Sequence, residues 1–432
     1  MLPIPASWRR RLGGIRILQP LARRDYALLT GGSLISLLGD GFFFIALAWQ
    51  VYEISNVPTA LSLVGLAWTL PLVLFVLLGG VFSDRYDRRW LMVGADLVRA
   101  AAIGLLGILS VSGILELWHV VALIAFVGLG DAFFNPASTA IVPDLLPDEQ
   151  LPQANALQSL LRPLAVRLIG PALGGLVVAG VGSGTAFLID AASFLASGAA
   201  VAAIAAQPRR EVTDHGVRQT LHEVREGLAF VRATPWIWAT LVSAMLSLLV
   251  WIGPQEVLLP FLVKNRLSLG PDALGGIFAA GGVGAILMAI TVGQLGQPRL
   301  RVTAMYASWS IGVLLIAGYG LMTALWQALL LSAIGAALFE LGQMIWTTLL
   351  QQLVPRELLG RVSSLDWLVS VGLVPISFAL TGPVAGAIGA EWTMVSAGTV
   401  GAVLMSALLF ARGVRDPERG EVPPARAAGE VP

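Results

Sequence analysis

The chain has no cysteine in its 432 residues, so it forms no disulfide and offers no thiolate to a metal, and its redox compartment is left open. Histidine is nearly absent: His119, His215 and His222 are too scattered for a zinc cluster. Charge is scarce, at 12% of residues against about a quarter in a soluble domain, which excludes a soluble globular protein. The net charge is only +1, so no field of one sign recruits an acidic partner. Nucleic-acid binding and intrinsic disorder are poor readings of such a chain. No G-x-x-x-x-G-K-[ST] segment occurs, so ATP is not indicated. No nucleophile–base or metal-ligand constellation is evident, so neither an enzyme nor a cofactor is expected.

What the chain has is hydrophobic length. It is 56% hydrophobic, with 48 Gly and a mean hydropathy of +0.81. About 20 residues of helix cross the hydrocarbon of a bilayer, and backbone groups in lipid must be satisfied internally, so long apolar runs should be helices. Twelve such runs are read, at about 26–52, 58–82, 90–113, 117–142, 155–180, 184–206, 236–262, 270–295, 302–322, 325–350, 362–388 and 391–411. The fifth and eleventh are interrupted by Arg, Asp, Gly and Pro.

The basic residues test that count, because Lys and Arg are retained on the cytoplasmic side. With the N-terminus inside, Arg9, Arg10, Arg11, Arg16, Arg23 and Arg24 precede the first span, and Arg85, Arg88, Arg89 and Arg99 serve the second loop. Arg162 and Arg167 follow the fourth span, and five arginines lie between 209 and 232. Arg299, Arg301, Arg356 and Arg361 serve the next inner loops, and Arg412, Arg415, Arg419 and Arg426 the tail. Of the 27 basic residues only Lys264 and Arg266 fall outside. A miscounted span would invert everything downstream, so both termini are expected in the cytoplasm. No cleavable signal peptide is apparent: the first apolar run is too long and carries Asp40.

The longest polar interruption, 207–235, lies near the midpoint. Within it Val217, Leu221, Val224, Leu228 and Val231 follow a helical spacing with Arg218, Arg225 and Arg232 between them. That pattern describes an amphipathic helix on the inner membrane surface or packed under the bundle. PDEQLPQANALQSL from Pro147 is echoed by PRELLGRVSSLDWL from Pro355, and Gly170-Pro171 with Gly174 by Gly382-Pro383 with Gly386. Both matches join the fourth and fifth spans of their half, as a parallel duplication of six helices requires. The organisation read is therefore 1–25 a basic cytoplasmic N-terminus, 26–206 a first six-helix bundle, 207–235 a linker, 236–411 a second bundle and 412–432 a disordered tail.

GVFSDRYDRR, Gly80 to Arg89, closes the second span. It resembles the loop between helices two and three of the major facilitator superfamily, G-x-x-x-D-R-x-G-R-R, at Gly80, Asp84, Arg85, Arg88 and Arg89, with Asp87 in place of the second Gly. Gly80 would permit close helix approach, and Asp84 would face the N-terminus of a helix in the other half. Arg85 and Arg88 would pair with inner-loop carboxylates such as Asp144; the resemblance implies that these residues form a cytoplasmic latch. GPALGG, with Gly170, Pro171, Gly174 and Gly175, resembles an element of exporters and antiporters in that superfamily, on a helix that must bend or slide. The glycines of span eight, Gly275, Gly276, Gly281, Gly282 and Gly284, are read as packing positions. LGDGFFFIALAWQVYEI, GDAFFNPA and FLIDAASF together resemble the drug and siderophore exporter branch, which includes enterobactin and macrolide exporters. The resemblance implies an all-α membrane protein of twelve helices in two bundles related by pseudo-twofold symmetry.

Ionisable residues inside a membrane are costly and by default mark a pathway. Asp40, Asp131 and Glu340 lie near mid-depth, Asp190 and Glu256 nearer the outer side, and Asp96, Arg99, Arg162, Arg167 and Asp366 in the inner part. Asp96 and Arg99, three apart on one face, read as a structural pair. Arg167 needs a carboxylate or an anionic substrate. Asp40 and Asp131 are the expected proton carriers, since burial favours the neutral carboxyl and an approaching Arg the carboxylate; permanent ion pairing is the competing reading. Glu340 is assigned to substrate or a second proton. Trp49, Trp68, Trp251 and Trp346, with Glu256, are candidate cavity walls, and Asn135, before Pro136, marks a helix irregularity exposing a carbonyl to the cavity. The function expected is export of a moderately hydrophobic small molecule in exchange for protons, by a monomer in the cell membrane. A lipid or lysolipid translocator on the same fold and a non-transporting receptor or scaffold are the alternatives.

Overall fold

The computed structural model describes residues 16–205 and 217–420. These residues are helical throughout, with no strand among them. Among the described residues, eleven helices are long and apolar enough to cross a membrane. They are α1 (Arg24–Ile54), α2 (Pro58–Arg85), α3 (Arg88–Val111), α4 (Leu117–Leu145), α5 (Asp148–Val181), α6 (Ser183–Ala202), α7 (Pro235–Asn265), α8 (Pro271–Leu295), α9 (Arg301–Leu321), α10 (Leu325–Leu353) and α11 (Leu358–Ile388). The twelfth, α12 (Ala390–Ser406), has 17 residues and continues as turns. A linker helix, Val217–Ala233, precedes α7.

The two interrupted spans are irregular for a local reason. Pro171 has no N–H for the carbonyl of Arg167, and the chain takes up the break as a wide π-helical turn, Leu164–Ile169, closed by Gly170 N–H on the Ala165 carbonyl. α11 breaks at Leu373, just before Pro375. Each of these spans ends on a glycine in the left-handed region, Gly182 at φ 84° and Gly389 at φ 85°, which starts the next helix. A side chain there would be strained, so the same turn recurs in both halves on the same residue type.

The chain divides into two compact units, residues 1–212 with 268–279 and residues 213–267 with 280–432. In the first, α1 packs on α5 and α6, α3 on α4 and α6, and α2 on α4. In the second, α7 packs on α11 and α12, and α9 on α10 and α12. α8 meets α10 where Gly281 faces Ser332 and Gly284 faces Ala333. Helix for helix this is the pattern of the first unit, as duplication requires. The division differs from the expected domain limits at two places. The linker helix groups with the second unit, and the first turns of α8 group with the first, where Gly275 lies against Pro171 and Gly175. Small residues on both helices allow that approach.

Basic side chains gather at one end of each unit. Arg24 donates to the Ala203 carbonyl at 3.2 Å, bringing the start of α1 to the end of α6. Arg301 donates to Gln352 at 2.7 Å. Arg266 lies at the other end of the second unit, donating to the Gly320 carbonyl at 2.7 Å and 3.8 Å from Glu391. The disorder expected from 412 does not begin there: Asp416–Arg419 is a short helix whose Glu418 carboxylate accepts from the Thr303 N–H and hydroxyl, capping α9. Residues 1–15, 206–216 and 421–432, with Arg9, Arg10, Arg11 and Arg426, lie outside the described residues, and so do the side chains of Val217, Leu221 and Val224.

The close approach expected at Gly80 falls on its neighbour. A Cβ at Gly80 would point into open space, whereas at Gly79 it would collide with the Ala132 carbonyl of α4. That carbonyl is the one Pro136 leaves without an i+4 donor, so it faces α2 and not a cavity, correcting the expectation at Asn135-Pro136. Gly79→Ala is therefore expected to destabilise the protein by about 1–3 kcal/mol through overpacking, and Gly80→Ala to stay within about 0.5 kcal/mol. Thermal unfolding of the two variants in detergent checks the contrast; equal effects would reject it.

Candidate functional site

The first unit holds a buried charge network assembled from five helices. On α1, Asp40 stands between two glycines that admit neighbouring helices: Gly39 faces Asp190 and Ser193 of α6, and Gly41 faces Gly170 of α5. On α3, Asp96 and Arg99 share one face, with side chains 0% and 5% exposed. The Arg99 guanidinium binds Asp96 through one nitrogen and donates to Asp131 of α4 at 3.0 Å through another. Its plane lies between the rings of Phe134 and Phe194, 4.1 and 4.3 Å from their centroids. Gly130 leaves room for its methylene stem. Two carboxylates bridged by one planar group that also lies over two rings suit guanidinium and not a lysine ammonium.

Asp131 is held a second time, by the Trp68 indole of α2, which donates to its other oxygen at 2.9 Å. That indole packs with Phe43 and Phe44 of α1, and Phe187 of α6 packs at a tilt against Phe43. On α6, Asp190 is wholly buried and accepts from the Ser193 hydroxyl at 3.2 Å. The second oxygens of Asp96 and Asp190 and the Ser197 hydroxyl are buried with no hydrogen-bond partner among the described residues. Asp40 makes no direct ion pair within the described residues but lies within electrostatic reach of Arg99, Asp131, Arg162 and Asp96.

The network thus unites Asp40 and Asp131, the expected proton carriers, with the Asp96–Arg99 pair that the spacing assigned to structure. It also recruits Asp190, expected only as an acid nearer the outer side, and Trp68, expected as a cavity wall, whose places in the network were missed. One signal was available: Asp190, Ser193 and Ser197 are spaced three and four apart, a polar stripe on an otherwise apolar helix. Arg167 sits exposed on the π-helical turn, and of the two partners expected for it, a carboxylate or an anionic substrate, no carboxylate is found among the described residues. Glu340 lies on α10 in the second unit, where no ion pair holds it among the described residues.

Two cavity expectations change. Trp346 is 3% exposed and packs edge-on against Trp236 in the core of the second unit, so it is not a cavity wall. Asn135 is exposed, and its carbonyl is taken up by the Ser138 and Thr139 hydroxyls at 3.0 and 3.1 Å. Trp49 and Glu256 are half-buried, and Trp251 lies half-buried beside Phe339.

At the basic end, Arg88 binds Asp144 at 2.6 Å, the Ala140 carbonyl at 2.9 Å and the Ser83 carbonyl at 3.3 Å, tying the α2–α3 loop to α4. Arg89 donates to the Ile204 carbonyl beyond α6 at 2.5 Å. Asp87, which stands where the resemblance has Gly, accepts from the Arg89 N–H at 3.0 Å and caps α3, so the departure strengthens the turn. Asp84 is exposed and 3.8 Å from Arg88; Arg85 is exposed and unpaired among the described residues, against the partner expected for it.

Twelve helices in two six-helix units, with this loop between α2 and α3, define a multi-pass membrane transporter of the major facilitator superfamily. Within it the chain belongs to the transmembrane secretion effector family, whose model matches residues 15–425. It is 26% identical over 388 residues to the multidrug efflux pump Tap of Mycolicibacterium fortuitum, covering 87% of this chain and 92% of that one. It is 25% identical over 371 residues to macrolide efflux protein A of Streptococcus pyogenes, covering 85% and 91%. Its fold superposes on a bacterial homologue of the lysosomal transporter Spinster with a TM-score of 0.65 at 14% identity, over 94% of this chain and 99% of the other.

Proposed function

We propose that the protein exports a moderately hydrophobic small molecule across the cell membrane in exchange for protons, with both termini in the cytoplasm and the two bundles giving alternating access. The observation that carries proton coupling is the network around Arg99. Asp40, Asp96, Asp131 and Asp190 surround a single buried guanidinium. If all were ionised, the cluster would hold a large negative excess out of water, which is costly enough that charge balance calls for bound protons. A movement that changes the distance from Asp40 or Asp131 to Arg99 then changes how many protons are held.

The names of the similar proteins, multidrug and macrolide efflux, support export of drug-like molecules. Phe44 and Trp68, both half-buried, offer an aromatic surface beside Asp131, with Phe43 buried against them. Glu340 is assigned to a substrate cation or a second proton. Asp84, Arg85, Arg88 and Arg89 are assigned to the cytoplasmic latch, and the π-helical turn of α5, with Arg167, Gly170, Pro171, Gly174 and Gly175, to the element that bends. Cells expressing the protein should accumulate less of at least one class among dyes, macrolides and siderophores, and a protonophore should restore accumulation. Unchanged accumulation of every class would reject export of such molecules; efflux untouched by the protonophore would reject proton coupling.

A further inference from the structure

The linker helix is docked on the second unit by specific contacts. Glu226 pairs with Arg361 of α11, and Gly227 lies against the Arg361 side chain. Beside this dock, between the linker helix, α7 and α11, opens a groove of about 460 Å³, within the roughly 300–1,000 Å³ of ordinary ligand pockets. Leu228, Trp238, Leu241, Met245 and Val369 make it apolar, and Arg232 is its one charged lining residue. Arg232 is exposed and has no ion pair among the described residues. Arg225, two helical turns earlier and hence on the same face, is likewise exposed and unpaired.

An apolar slot with free guanidinium groups at its rim selects an amphiphile with a negative head. A zwitterionic lipid or a neutral drug leaves the arginines uncompensated, and a second copy of this face brings like charges together. Basic clusters beside membrane helices attract anionic headgroups in this way. We infer that the groove binds an anionic phospholipid, its acyl chain along Trp238, Leu241 and Met245 and its phosphate at Arg232, with Arg225 adding to the field. The lipid ties the linker helix to the second bundle. This site is separate from the charge network and independent of what the protein transports.

Brominated acyl chains quench a tryptophan they touch, and the signal of Trp238 is the difference between the full-length protein and its Trp238→Phe variant. In vesicles of phosphatidylcholine with phosphatidylglycerol, one lipid at a time brominated, half-quenching of that signal is expected at about fivefold lower mole fraction for phosphatidylglycerol. Arg232→Gln should remove the preference, and native mass spectrometry should show fewer retained phosphatidylglycerol molecules on that variant. Equal quenching by both lipids, which means ordinary surrounding lipid, overturns the inference. A preference that survives Arg232→Gln overturns it too, and so does a Trp238 reached by neither lipid because another segment or copy covers it. The drug-accumulation experiment is unaffected by any of these outcomes.

Discussion

Asp131→Asn is expected to reduce pH-gradient-driven efflux in proteoliposomes to the background of protein-free vesicles while the protein still inserts and folds. The amide keeps the shape of the carboxylate, and its oxygen can accept from the Trp68 indole as Asp131 does at 2.9 Å. Arg99 loses one partner but retains Asp96. The folding cost is therefore about that of one charged hydrogen bond, roughly 1.5–3 kcal/mol, while the proposed proton site is removed outright. Asp40→Asn should act in the same direction. Normal gradient-driven transport by the folded Asp131→Asn protein would dismiss Asp131 as a carrier and leave it the ion pair that a static reading assigns.

Arg99→Gln should have the largest effect on stability. It leaves Asp96 and Asp131 in a buried site with no cation against them and empties the space between Phe134 and Phe194. Removing one partner of a buried pair costs about 3–5 kcal/mol, enough to lower the yield of folded protein sharply. Arg99→Lys keeps the charge but not the two-pronged geometry or the ring stacking, and should recover only part of the loss. The triple variant Asp96→Asn, Arg99→Gln, Asp131→Asn removes the charges together. It should regain thermal stability in detergent without regaining transport. Full stability of Arg99→Gln alone would show that Arg99 is not the centre of the network, and transport by the triple variant would show that proton coupling needs neither Asp131 nor the Asp96–Arg99 pair.

Several features of the fold could be read in one dimension because their causes are local. Each apolar run is its own argument for a helix, and each basic cluster gives the run beside it an expected orientation. The breaks in α5 and α11 follow from Pro171 and Pro375, which lack an N–H wherever they stand. The repeat between residues 147–160 and 355–368 anticipated the matching packing of the two units. Half of the central site was legible in the same way, as acids too costly to keep at membrane depth without a use.

The other half depends on which helix faces meet, and hydropathy is silent on that. An apolar helix in lipid has no polar side to fix its rotation, so spacing alone does not say whether Gly79 or Gly80 takes the neighbouring backbone. It does not say whether Trp346 lines a cavity or fills a core. Nor does it say whether Arg99 serves only the carboxylate three residues before it.

By itself, then, the sequence determined the number and alternation of the helices, their division into two halves and a short roster of intramembrane charges, because hydropathy and charge act residue by residue. Only the tertiary structure decided the partnerships. Arg99 joins Asp96 to Asp131, Trp68 holds the second oxygen of Asp131, and Asp190 lies against Gly39, the residue before Asp40. These contacts cross between helices far apart in the chain, and they exist because glycines at 39, 41 and 130 let the backbones and side chains of those helices come close enough to meet.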